Sequence, residues 1–182
     1  MNYCKINDCD IANGIGVRVT LFVSGCTNRC PGCFQPETWD FDYGQPFDEA
    51  AAQAVLDKLA PDYIDGLTLL GGDPLEPRNQ HDLLPFVQRV RACYPQKTIW
   101  AFTGFRWEEL LQPGAYPHCA ETAELLTLID VLVDGRYEEA LKDITLRFRG
   151  SGNQRILDLA ATRRQGRPVL WQEQGVREPG TD

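Results

Sequence analysis

The chain has 182 residues, of which 43% are hydrophobic and 24% charged, and its formal net charge at pH 7 is −8. This length fits one domain with a real core, and the acidic balance argues against broad nucleic-acid binding. No apolar run approaches the roughly 18 to 20 residues that a membrane helix needs. The first ten residues lack the basic-then-apolar pattern of a signal peptide, so we expect a cytoplasmic protein.

Four short apolar runs predict buried strands, and each run ends in a turn that contains glycine. In chain order they occupy residues 17–25, 66–74, 97–105 and 128–135. Helical periodicity predicts helices between and beside them at residues 47–59, 83–93, 107–111 and 121–126. Alternating strands and helices indicate parallel β/α units, and four or five units are too few to close an eight-stranded barrel. We therefore expect an α/β fold, an open partial (β/α) barrel with a parallel sheet.

The end of the chain has a different composition. From about residue 161 onward the periodicity is lost while Gly, Pro and charged residues increase. The expected organisation is one domain at residues 1–160 and a partly ordered C-terminal tail at residues 161–182, in which "PVLW" is a candidate short edge strand or docking segment.

The chain has seven cysteines. An odd number without an export signal argues against a disulfide framework. Cys26, Cys30 and Cys33 lie within eight positions of one another, which indicates a metal or redox site. Cys93 and Cys119 are expected to be small buried hydrophobic residues.

Three kinds of site fit the cysteine cluster. A thioredoxin-like redox pair explains the C-x-x-C spacing of Cys30 and Cys33 but not Cys26. A structural zinc site needs a fourth ligand such as His81, His118 or another cysteine, and the chain has no second C-x-x-C. An iron–sulfur cluster with four irons and three thiolates leaves one iron open to bind a substrate or cofactor.

The strand ends of parallel units meet at one edge of the sheet, where such folds build their sites. We therefore expect the cysteine cluster, residues 71–74, Thr103 and Asp134 to converge. For Asp134, before Gly135, a catalytic role and a turn role are both open, and the turn is favoured. Thr103 is a candidate hydrogen-bonding group, although strand propensity alone also explains a threonine there.

The motif C-x-x-x-C-x-x-C after the first strand, with "GGDP" after the second, resembles the radical S-adenosylmethionine superfamily. A longer series of segments in the same order resembles, more narrowly, the family of anaerobic ribonucleoside-triphosphate reductase-activating proteins. The segments are Asn13-Gly14, "LFVSGC", "CPGCF", "GGDPLEP", "TGF", "IDVLVDG" and "RGSGNQRILDL". Residues 149–155 of the last segment are the most specific to this family.

The resemblance implies that Cys26, Cys30 and Cys33 are catalytic residues and the metal ligands of one [4Fe-4S] cluster, whose open iron binds S-adenosyl-L-methionine. It implies cofactor-binding roles for Gly32, Cys33, Phe34, Gly71, Gly72, Asp73 and Thr103. Phe34 would offer an aromatic surface to adenine. The two glycines of "GGDP" would let backbone carbonyls approach the amino group of the cofactor, and Asp73 would complement its ammonium charge.

The function implied is that of a glycyl-radical enzyme activase. The reduced cluster cleaves S-adenosylmethionine, and the 5′-deoxyadenosyl radical abstracts hydrogen from a glycine of the reductase catalytic subunit, with a flavodoxin-like electron donor. The alternatives are an activase of another glycyl-radical enzyme, a small-molecule enzyme similar to 7-carboxy-7-deazaguanine synthase, and a non-catalytic metal- or redox-binding module. Arg149 and Arg155 flank a turn-rich loop that is a candidate partner-binding or anion-binding segment.

Overall fold

The computed structural model describes residues 1–172. Across these residues one sheet of seven strands runs in the order β3-β1-β2-β4-β5-β6-β7. The strands are β1 (Asn2–Asp10), β2 (Arg18–Val23), β3 (Gln45–Pro46), β4 (Gly66–Gly71), β5 (Thr98–Phe102), β6 (Val131–Asp134) and β7 (Arg155–Asp158). The helices are α1 (Glu49–Leu59), α2 (Pro77–Cys93), α3 (Trp107–Leu111), α4 (Thr122–Leu128) and α5 (Leu159–Gln165).

The centre of the sheet consists of the four predicted strands. β2, β4, β5 and β6 pair in parallel, and α1, α2 and the pair α3–α4 connect them. The sheet is open. Antiparallel strands flank its parallel centre, β1 and β3 on one side and β7 on the other. The predicted open α/β architecture with a largely parallel sheet is confirmed. The antiparallel edge strands were not predicted.

Helix α2 differs from the sequence prediction in its start and in the burial of its last residue. Helix α2 begins at Pro77, six residues before the predicted start, because proline suits the first helical turn and the polar side chains of Asn79 and Gln80 are buried there in hydrogen bonds. Cys93, expected to be buried, is exposed. It is the last residue of α2, and the last buried residue of that helix is Val90.

The two faces of the sheet are covered differently. Helices cover one face, where side chains such as Leu69 of β4, Val87 of α2 and Leu125 of α4 belong to the main core. On the other face, Trp100 contacts Phe148 and Trp171 edge to face at 5.3 and 5.2 Å between ring centroids. This second face is therefore covered by loops and the chain end, and it leaves room for a cavity.

Part of the predicted tail packs against the sheet. Asp158 caps α5 by accepting a hydrogen bond from the backbone N–H of Ala161 at 2.8 Å. Leu170, within "PVLW", forms an antiparallel bridge with Leu157 of β7. Residues 173–182 of the predicted tail lie outside the described residues, and the domain boundary at residue 160 stays a prediction. Within the described part of the chain, no helix is long and apolar enough to cross a membrane.

Candidate [4Fe-4S] and cofactor site

The three clustered cysteines lie in one loop at the carboxyl end of β2. We call residues 26–34 the cluster loop. Cys26 is buried, Cys30 and Cys33 are half-buried, and none of them forms a disulfide. The loop curls because Arg29 and Gly32 have positive φ angles of 45° and 73°, and the backbone N–H of Cys33 donates to the carbonyl of Cys30 at 3.1 Å. The chain thereby places all three thiols in one short turn at the edge where the parallel strands end.

The surroundings of the thiols favour a positively charged ligand. Burial and, after it, the nearby charge of Asp73 raise the pKa of Cys26 to about 12. Burial also raises the pKa of Cys30, while the backbone N–H of Tyr137 acts in the opposite direction. A raised pKa disfavours the free thiolate, and metal binding replaces the thiol proton with another cation. The loop therefore fits an iron–sulfur cluster by its donor set and its burial.

The arrangement does not favour the zinc alternative. A zinc site needs four ligands around one point, whereas an iron–sulfur cluster is held by separate thiolates around its edge. The candidate fourth ligands are also engaged elsewhere: His81 Nδ1 lies 2.9 Å from Glu121 Oε1, and His118 Nδ1 lies 2.8 Å from the carbonyl of Leu110.

The glycine turn after β4 packs directly on the end of β2. A Cβ atom on Gly71 would lie 2.5 Å from the carbonyl oxygen of Val23, and one on Gly72 would lie 2.6 Å from that of Gly25. The backbone N–H groups of Gly72 and Asp73 donate to the same two carbonyls, at 2.7 and 2.9 Å. Both glycines are therefore required by the close approach of two strand ends, whatever role their carbonyls have toward a cofactor.

Asp73 joins the predicted segments at the centre of this edge, where its side chain is almost completely buried. Its Oδ2 accepts hydrogen bonds from Asn28 Nδ2 and Thr103 Oγ1 at 3.0 Å each, and from the backbone N–H of Gly104 at 2.8 Å. Burial raises its pKa to about 7. The predicted convergence of the cluster loop, "GGDP" and Thr103 is thus observed, with Asp73 as the link.

Sequence reasoning missed a second buried carboxylate, Glu76. Its Oε1 accepts hydrogen bonds from the backbone N–H and the hydroxyl of Thr27, at 2.6 and 2.7 Å, and the hydroxyl of Tyr116 donates to its Oε2. Thr27 follows the first cysteine, so Glu76 holds the start of the cluster loop. A charged residue that directly precedes a proline-initiated helix looks like a helix start, which is why the sequence did not mark it as a site residue.

A cavity of about 660 Å³ opens beside the cluster loop. Three predicted site residues line it, Cys33, Phe34 and Gly71, and its opposite wall includes residues from the segment 142–150. Phe34 is 73% exposed, and its ring centroid lies 5.7 Å from that of Tyr137. The cavity lining does not include Gly32, Gly72, Asp73 or Thr103. The predicted residues thus form two groups, one at the cavity and one in the support behind it.

The turn role favoured for Asp134 is wrong. Asp134 is the last residue of β6 and is fully buried. Its Oδ1 accepts from Arg155 Nε at 2.8 Å, and its Oδ2 accepts from the backbone N–H of Trp107 at 2.8 Å. Arg155 also donates to both carboxylate oxygens of Glu108. Asp134 and Arg155 therefore connect β6, β7 and α3, and Arg155 is engaged by two carboxylates of its own chain.

Comparison with known proteins defines first the class and then the family. The family described as "4Fe-4S single cluster domain" matches residues 12–157, in agreement with three thiols in one loop beside an open cavity. The chain is therefore a single-cluster [4Fe-4S] protein of the radical S-adenosylmethionine type.

The relatives with similar full-length sequences all belong to one family within this class. The anaerobic ribonucleoside-triphosphate reductase-activating protein of Escherichia coli (strain K12) is 45% identical over 85% of this chain and 96% of its own length. Those of Pasteurella multocida (strain Pm70) and Enterobacteria phage T4 are 46% and 42% identical, over 86% of this chain and 96% and 93% of their own lengths. The chain belongs to the family of anaerobic ribonucleoside-triphosphate reductase-activating proteins, which confirms the resemblance found in its sequence.

Proposed function

We propose that this chain activates an anaerobic ribonucleoside-triphosphate reductase by forming a glycyl radical on its catalytic subunit. The observation that carries the proposal is the position of three cysteines in one loop, of which Cys33 lines an open cavity, in a chain of this family. When bound, the [4Fe-4S] cluster supplies the electron that cleaves S-adenosylmethionine to the 5′-deoxyadenosyl radical, which removes hydrogen from the reductase glycine.

The residues of the chain have separate tasks in this proposal. Cys26, Cys30 and Cys33 hold the cluster through their thiolates. Phe34 and Gly71 line the cavity and contact the cofactor there, Phe34 with its exposed ring. The other residues proposed for the cofactor site are Gly32, Gly72, Asp73 and Thr103. For Asp73 and Thr103 the contacts support a role in shaping the site, because they bind each other at 3.0 Å and Asp73 also binds Asn28.

The open cavity suits a substrate that is part of another protein. Its floor is apolar where Phe22, Leu70 and Phe102 line it, and its rim carries Ile144, which is 91% exposed. A glycine on a loop of the reductase can enter such a cavity from outside. The entering loop also excludes water from the site, which protects a reactive carbon radical from side reactions.

The electron donor is proposed to be a flavodoxin-like protein that docks on the outer side of the cluster loop. Thr27, Arg29 and Pro31 are exposed there, so the cluster region can be approached without entering the cavity. The proposed location is the cytoplasm, where the reductase and its donor would both be present.

The decisive experiment is anaerobic reconstitution with iron and sulfide, reduction with dithionite, and assay for 5′-deoxyadenosine from S-adenosylmethionine. The wild type is expected to form the product, and Cys30→Ala is expected to lose it because one cluster ligand is removed. Cys93→Ala is the matched control, since that cysteine is exposed at the end of α2, outside the cluster loop. No product from the reconstituted wild type would contradict radical chemistry.

The partner is tested by adding the reductase to the reduced, reconstituted protein. A glycyl-radical EPR signal on the reductase that depends on S-adenosylmethionine is the expected result. Formation of 5′-deoxyadenosine without that signal would instead favour the activase of another glycyl-radical enzyme.

A further inference from the structure

The family-specific motif at residues 149–155 contributes Arg149, Gly150 and Gln154 to the cavity lining, and it also binds a neighbouring segment of the chain. We call residues 135–139, which follow β6, the arm. Gln154 Nε2 donates to the carbonyl of Gly135 at 3.0 Å, and Asn153 Nδ2 donates to that of Arg136 at 2.8 Å. The backbone N–H of Glu138 donates to Ser151 Oγ at 3.1 Å. Three side chains of the motif therefore each hold a different backbone group of the arm.

The motif is itself closed into a firm turn. Gln154 Oε1 accepts from the backbone N–H groups of Gly150 and Ser151 at 2.8 and 3.2 Å. A Cβ atom on Gly150 would lie 3.0 Å from the ring of Tyr137, so glycine allows the arm to lie against the turn. Because Gln154 binds the turn with its oxygen and the arm with its nitrogen, one side chain couples the two segments.

The opposite side of the arm lies on the cluster loop. Arg136 Nε donates to Asn28 Oδ1 at 2.8 Å, and the ring of Tyr137 packs on Phe34. The carboxylate carbon of Glu139 lies 2.7 Å from the point where Gly32 would carry a Cβ atom. All these contacts fall on residues 28–34, the part of the loop that holds the second and third cysteines.

We propose that Ser151, Asn153 and Gln154 are positioning residues that act through the arm, holding the cluster loop in the shape that seats Cys30 and Cys33 on the cluster. This inference rests on the cluster loop assigned in the proposed function. It gives the motif an internal task beside the partner-binding or anion-binding role expected from its sequence.

The test uses hydrogen–deuterium exchange of the cluster-free protein, followed peptide by peptide. Gln154→Glu keeps the acceptor contacts within the turn, removes the donor to Gly135 and places a carboxylate oxygen against that carbonyl. We expect exchange over residues 27–34 to be about fivefold faster, the factor that corresponds to one hydrogen bond. Gln53→Glu is the matched control, because Gln53 is exposed on α1 and binds only surface groups; its exchange over residues 27–34 is expected to equal that of the wild type.

A second measurement separates positioning from general stabilisation of the β6–β7 region. After reconstitution, Ser151→Ala, which removes the acceptor of the Glu138 N–H without changing the charge, is expected to shift the EPR spectrum and the midpoint potential of the reduced cluster, because the protein surroundings of a cluster tune that potential. Exchange over residues 27–34 equal to that of the control overturns the proposal, and so does faster exchange with an unchanged spectrum and potential.

If Gln154→Glu does not fold, Arg136→Gln decides the question, since Arg136 is exposed and its Nε contact with Asn28 crosses directly from the arm to the loop. Faster exchange in the loop with an unchanged rate in β7 supports the proposal, and an unchanged loop overturns it. The exchange measurement needs neither cluster nor cofactor. A failure of the wild type to cleave S-adenosylmethionine therefore contradicts the proposed function without deciding this inference.

Discussion

The cluster loop is held from two sides by different chemistry. On the β4–α2 side, the buried carboxylates of Asp73 and Glu76 bind Asn28 and Thr27 directly. On the β6–β7 side, the neutral side chains of residues 151–154 act through the arm, which is partly exposed. Buried charged hydrogen bonds are stronger and more costly to break than exposed neutral ones. The first support therefore maintains the fold around the cysteines, and the second adjusts the loop with little effect on stability.

The largest loss of stability is expected on the β4–α2 side of the loop, which we call the carboxylate side; the β6–β7 side is the amide side. Glu76→Ala leaves the N–H and the hydroxyl of Thr27 without their acceptor, and we expect the free energy of unfolding to fall by about 3 kcal/mol. Urea denaturation of the cluster-free protein at pH 7 measures it. Glu49→Ala is the control, because Glu49 forms an exposed ion pair with Arg89 and should change stability by less than about 1 kcal/mol. Equal urea midpoints for Glu76→Ala and Glu49→Ala would show that Glu76 does not stabilise the cluster loop.

The contribution of the carboxylate side to stability should depend on pH, and that of the amide side should not. Burial raises the pKa of Asp73 to about 7 in the folded state, above its value of about 3.9 in an unfolded chain. Between these values the folded state binds more protons, so the contribution of Asp73 to stability is largest in acid and decreases as pH rises toward 7.

This pH response is measured by comparing wild type with Asp73→Asn, which cannot titrate. The stability of wild type relative to the variant is expected to fall by about 2 kcal/mol between pH 5 and pH 8, from the linkage of the two pKa values. Urea midpoints across this range give the difference. A constant difference would mean that Asp73 keeps an ordinary pKa and that the two supports do not differ in this respect.

The smallest effect on stability is expected on the amide side. Gln154→Glu removes one neutral, part-buried hydrogen bond to the carbonyl of Gly135, and the free energy of unfolding should fall by about 1 kcal/mol. The same urea experiment measures it beside Glu76→Ala. A loss as large as that of Glu76→Ala would show that the arm is part of the folding core, and the contrast between the two supports would not hold.

Much of the fold and the site was predictable because the signals are local. The four parallel strands are continuous apolar runs, since a strand buried on both faces needs apolar residues throughout. The antiparallel strands β1 and β7 were missed because edge strands are only partly buried and carry polar residues such as Lys5 and Arg155. Their pairing depends on neighbours distant in sequence, which no local pattern records.

The sequence by itself determined the chemistry of this protein: three cysteines at a fixed spacing after one strand, a glycine turn after the next, and the order of motifs that defines its family. Only the tertiary structure decided which groups support that chemistry. Asp73 became a link between three loops, Asp134 a buried partner of Arg155, and Glu76 an anchor for Thr27. The physical reason is that a buried polar group must find its partners in space, and these partners lie 21 to 49 residues away along the chain.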